Sequence, residues 1–87
     1  MAIEVRKPTP DEENEMKSCP IWEKEASKFP WHYDEQETCL ILEGRVEVTA
    51  DDGQKVSFGP GDYVVFPKGV DCTWDVKKAV RKHYKFE

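Results

Sequence analysis

All five glycines of this 87-residue chain fall between positions 44 and 69, and the segments around them are short, β-branched and aromatic. Glycine supplies the positive φ of tight turns at no steric cost. The clustering therefore predicts closely spaced strand reversals and leaves little room for long helices. Residues 38–43, 45–50, 55–58, 62–66, 72–76 and 79–86 read as strands. Asp52-Gly53, set between two of these runs, is the strongest local signal, that of a tight hairpin. Strands this short and this close imply an all-β sandwich or barrel.

The length allows one hydrophobic core. That core must be small, because Leu, Ile, Val and Phe together number 18, although ten aromatic residues argue for a folded chain. The net charge of −5 disfavours nucleic acid or an anionic membrane as partner. Lys77, Lys78, Arg81, Lys82 and Lys85 nevertheless crowd the C-terminal segment, a pattern expected of a solvated face. No stretch approaches the ~18–20 apolar residues of a membrane span, and the first residues lack the apolar centre of a signal segment. Cys19, Cys39 and Cys72 are odd in number and have no C-x-x-C spacing, as expected of reduced thiols in the cytoplasm, or in an organelle stroma or matrix after removal of a targeting segment.

Composition shifts near position 29. Residues 1–28 are acidic and broken by proline, and read as an arm that packs on a barrel formed by residues 29–87. Within the arm, Thr9-Pro10-Asp11-Glu12 has the form of an N-cap, a proline at the first helical position and a capping-box glutamate. It predicts one short helix ending near Ser18. Residues 38–42 are apolar on both alternating faces, so their strand needs cover on two sides. Ile21, Trp22 and Phe29 of the arm are candidates for the outer cover, and so is a second copy of the chain. Leu40 and Leu42, opposite Glu37, form the strip on which a homodimer is expected.

Two segments make the pattern more specific. Glu37 is followed, after six intervening residues, by Gly44, and Gly61-Asp-Tyr-Val-Val-Phe-Pro67-Lys-Gly69 has the form G-x5-P-x-G. In this order they resemble the two halves of the cupin signature, G-x5-H-x-H-x3-E-x6-G and G-x5-P-x-G-x2-H-x3-N. The segment from Asp34 to Gly44, Phe66 to Gly69, Thr73-Trp74 and Val80 to Tyr84 are similar to the small single-domain cupins grouped with (S)-ureidoglycine aminohydrolase. The resemblance spans about residues 31–86. It implies an antiparallel jelly-roll barrel of the RmlC-like kind, with the N-terminal arm and one short helix outside it.

The resemblance also shows what is missing. With Glu37 at the signature glutamate, Trp31 and Tyr33 stand at the two histidine positions, Cys72 at the third and Val76 at the asparagine. One more spacer residue brings Pro30 and His32 to the paired positions, still only one histidine. Glu37 and Cys72 are then the ligands a divalent metal would have, and two good ligands rarely hold one. No cofactor is expected.

What remains is a barrel mouth lined by Trp31, Tyr33, Trp74 and Tyr84, with Glu37 and Cys72 deeper; alternation leaves open whether Lys82 or His83 faces the interior, and the family pattern favours Lys82, which would then face Glu37. His32 is expected to point away from the barrel, and His83 lies on the face opposite Lys82 and Tyr84. Such an aromatic cup with a carboxylate at its base suits a small nitrogenous or carboxylate metabolite, bound without metal. Glu37, Cys72 and Lys82 are the candidate reactive groups. The alternatives are a metal-dependent aminohydrolase, as the family resemblance implies, and a structural protein whose interior is only packing.

Overall fold

A computed structural model describes residues 2–87. In chain order the elements are β1 (Glu4–Arg6), α1 (Pro10–Lys17), β2 (Ile21–Lys24), β3 (Ser27–His32), β4 (Glu37–Ala50), β5 (Lys55–Phe58), β6 (Tyr63–Phe66) and β7 (Asp71–Phe86). Every strand pairing is antiparallel, and together the strands form an all-β jelly-roll barrel. β4 and β7 are its spine. β4 pairs with β5, β6 and β7, while β7 carries β2 and β3 along its other edge.

Two long strands replace four expected short ones. The runs 38–43 and 45–50 are continuous as β4, and 72–76 and 79–86 are continuous as β7. Gly44, at φ +104°, allows β4 to bend without ending, and the pairing with β7 shifts register on either side of it. A bulge of this kind re-aims the side chains that follow. Glu37, Cys39 and Ile41 are buried before the bend, and Val46, Val48 and Ala50 after it, so the inward parity changes from odd to even. Without the bulge one half of β4 would present its apolar set to water.

The arm also does more than pack on the barrel. β1 pairs with β6 and β2 with β7, and β3 begins at Ser27, inside the segment read as arm. The helix forms as its capping residues predict: the Thr9 hydroxyl accepts from the Glu12 backbone N–H, and the Glu12 carboxylate accepts from that of Thr9. Its one buried side chain, Met16, packs with Leu40 and Tyr63 on the outer face of β4 and β6. Lys85 to Glu15 at 2.8 Å and Lys7 to Asp62 at 2.9 Å tie the helical segment to the sheet.

This corrects the expected cover of the outer strip. Met16 covers Leu40, whereas Trp22 and Phe29 pack against the inner core and Ile21 is exposed. The reason is that β2 and β3 extend the edge of β7, so alternate residues of the arm are carried inward with the sheet. Leu40 is covered from within the chain and no longer argues for a second copy. All three cysteines are free thiols, and no helix is long and apolar enough to cross a membrane.

Candidate functional site

Antiparallel pairing places Ile41 of β4 opposite Lys82 of β7, with Trp22 of β2 opposite Lys82 on its other side. The Lys82 side chain passes along β4 to reach both inward neighbours of Ile41 on the N-terminal side. Its Nζ donates to Glu37 Oε2 at 2.8 Å and to Cys39 Sγ at 3.3 Å. The ammonium also lies 4.9 Å from the ring centre of Trp22 and 4.7 Å from that of Trp74. Glu37 and Lys82 are 4% and 3% exposed, so this is a buried ion pair inside an aromatic cage.

Burial alone disfavours the Lys82 ammonium, but the adjoining Cys39 sulfur and Glu37 carboxylate reverse the effect and hold it above the ordinary lysine range. The other groups are held neutral. Burial raises the Cys39 thiol well above its usual value, against the attraction of Lys82. Burial, followed by the charge of Glu37, raises the Tyr33 phenol. Tyr33 stacks on Phe66 with ring centres 4.7 Å apart, and its hydroxyl accepts from Trp74 Nε1 at 3.2 Å, which leaves the phenol proton for Glu37. The centre therefore holds one fixed positive charge, one carboxylate, and thiol and phenol groups that resist ionisation.

A cavity of about 210 Å³ opens beside the pair. Trp31, Tyr33, Glu37, Trp74, Lys82 and Tyr84, all expected from the sequence, line it. Trp31 is at the rim, 48% exposed. It stands one residue before the end of β3, where its ring meets that of the buried Tyr33 edge-on with centres 6.5 Å apart. Cys72 is the exception among the expected lining residues. It is buried beside β3, where its Sγ approaches the Trp31 carbonyl at 3.7 Å, and it does not line the cavity. Burial, with Asp51 and Asp71 nearby, pushes its thiol up to about 11.

Trp22, Phe29 and Phe86 also line the cavity, and Cys39 touches its ammonium; sequence reasoning missed all four. Cys39 shares the parity of Glu37 on one strand and was legible from that alternation. Trp22 and Phe29 were not, because their placement depends on how the arm pairs with β7. His32 points away as expected, its Nδ1 2.6 Å from Asp71, and His83 lies on the outer face with Nδ1 2.9 Å from the Cys19 carbonyl.

The donor set does not fit the metal of histidine-bearing cupins. Trp31 offers no ligand, Cys72 lies apart, and the Glu37 carboxylate already faces a lysine ammonium. Among the described residues no three His, Cys, Asp or Glu side chains converge to hold a metal ion.

Comparison with known proteins agrees with the fold. A family model described as an EutQ-like cupin domain matches residues 11–84. A DUF861 family protein from Thermotoga maritima is similar with a TM-score of 0.94 and 51% identity, over 99% of this chain and 100% of that one. The EutQ protein of Clostridium difficile is similar with a TM-score of 0.71 and 24% identity, over 97% of this chain and 66% of that one. A putative ethanolamine utilization protein Q from Salmonella typhimurium gives 0.69 and 20%, over 99% and 69%. These last two likenesses concern the fold alone. No curated protein matches the chain. With the family model spanning most of its length and a half-identical relative covering all of it, the chain belongs to the EutQ-like cupin family.

Proposed function

We propose that this cupin binds a small polar metabolite, nitrogenous or carboxylate, in the aromatic-lined cleft beside the Glu37–Lys82 pair, without a metal ion. The observation that carries the reading is a buried ion pair beside an open cavity of about 210 Å³. Removing two charges from water is costly, and apolar residues of similar volume serve stability as well or better. A packed structural interior has no need of the pair and leaves no cavity beside it. The volume suits a metabolite of one ring or a short chain rather than a drug-sized ligand.

The metal-dependent aminohydrolase reading finds no donor set among the described residues. The ethanolamine utilization name belongs to the Salmonella relative and supplies no ligand here. A panel of amides, ureides, amino acids and small carboxylates, followed by thermal shift and tryptophan fluorescence, tests the proposal. At least one class should raise the melting temperature and perturb the emission of Trp22, Trp31 or Trp74. The response should vanish when Glu37→Gln and Lys82→Met are combined. A panel with no response, or one the double variant leaves intact, would overturn it.

A further inference from the structure

We propose that the ligand is a neutral planar amide, its carbonyl oxygen accepting from Lys82 and its N–H donating to Glu37. The inference rests on the binding reading above and narrows it by charge. Three observations carry it.

The two indole rings nearest the ion pair already face a cation. Trp22 and Trp74 hold the Lys82 ammonium at 4.9 and 4.7 Å, so a second cation entering the cleft meets like charge at close range. An anion meets the converse obstacle. To reach Lys82 it must approach the Glu37 carboxylate, 2.8 Å from the ammonium, in a site where charges are poorly screened. The pair sums to zero, and a neutral occupant keeps that balance.

Its hydrogen-bonding capacity is nevertheless unspent. Lys82 carries three N–H donors and directs two of them to Glu37 Oε2 and Cys39 Sγ. The hydrogen bond to Lys82 engages only one oxygen of Glu37, leaving the other open to the Tyr33 phenol and to a ligand. A carbonyl beside an N–H, in one plane, matches a donor beside an acceptor. The flat remainder of such a molecule would lie among Phe29, Tyr84 and the half-exposed rings of Trp31 and Phe86.

Benzamide, benzoate and benzamidine form a matched series of one shape, carrying at neutral pH no charge, a negative charge and a positive charge. Benzamide should bind the wild-type chain roughly tenfold or more tightly than either ion in calorimetric or fluorescence titration. The preference should then follow the charge left behind, with Glu37→Gln favouring benzoate and Lys82→Met favouring benzamidine. Should either variant fail to fold, the wild-type series decides alone. Equal or tighter wild-type binding of benzoate or benzamidine would overturn the neutral-amide inference and leave the cleft as a binding site. Binding of some other panel compound with none of the three bound would do the same. Silence from the entire panel would overturn the binding reading and this inference with it.

Discussion

Lys82 Nζ lies 2.8 Å from Glu37 Oε2 across 45 positions of sequence, with both side chains withdrawn from solvent. Removing one partner strands the other charge in a dry site. Lys82→Met should therefore lower stability by about 3 kcal/mol, and adding Glu37→Gln should restore much of the loss because no net charge then remains inside. Urea denaturation of the two single variants and the double one measures the coupling. Strictly additive, near-neutral effects would show that the groups do not share a site.

Gly44 makes the bend in β4 possible. It sits at φ +104°, and a β-carbon there would collide with the Ala79 carbonyl oxygen and come within 2.7 Å of Val80 Cα, both backbone atoms of the adjoining strand. Neither neighbour can swing aside as a flexible side chain would. Gly44→Ala should cost roughly 3 kcal/mol or more, from left-handed strain and overpacking together. A variant with wild-type stability by thermal or urea unfolding would contradict the assigned bend.

Met16 is fully buried against Leu40 and Tyr63 and is the anchor of α1. Truncation to alanine should destabilise the fold by about 3 kcal/mol. It should also increase hydrogen exchange in the helix and along the outer face of β4. Exchange unchanged at Leu40 would mean that something other than α1 covers the strip.

Alkaline pH should weaken the fold. Burial holds Cys39, Cys72 and Tyr33 protonated above their ordinary values, and the surroundings of Lys82 hold its ammonium above the usual lysine range. For each group the folded value exceeds the unfolded one, so its stabilising contribution is complete below the unfolded value and disappears as pH rises through the folded one. Cys72 loses its contribution between 9.0 and about 11, and Cys39, whose ordinary thiol value is also 9.0, begins to lose its own from the same pH and continues further into base. The urea midpoint should fall steadily from pH 9 to 11 by linkage, less so in Cys72→Ala. A flat midpoint over that interval would contradict the linkage.

The sequence by itself determined the local elements. Thr9 to Glu12 specify the helix start because capping is a contact between residues three apart, and glycine at turns follows from φ alone. The signature spacing put His32 outside, as the spacer between ligand positions, and strand alternation put Lys82 and Tyr84 on the face opposite His83, since that parity is intrinsic to an extended chain. The signature spacing around Glu37 and Pro67 was enough to identify a cupin barrel, and six of the seven expected lining residues border the cleft. Tertiary structure decided the rest, because it turns on pairing between distant segments. Whether a strand ends or bends at Gly44 depends on β7 lying beside it, and bulges are set by that partner. Cys72 stood at a ligand position by spacing, yet its sulfur is directed to the Trp31 carbonyl by β3, whose register no local rule specifies. Trp22 became a wall of the cleft through its pairing with Lys82, where adding the arm to the sheet edge buried an aromatic face that the sequence left free to cover either side.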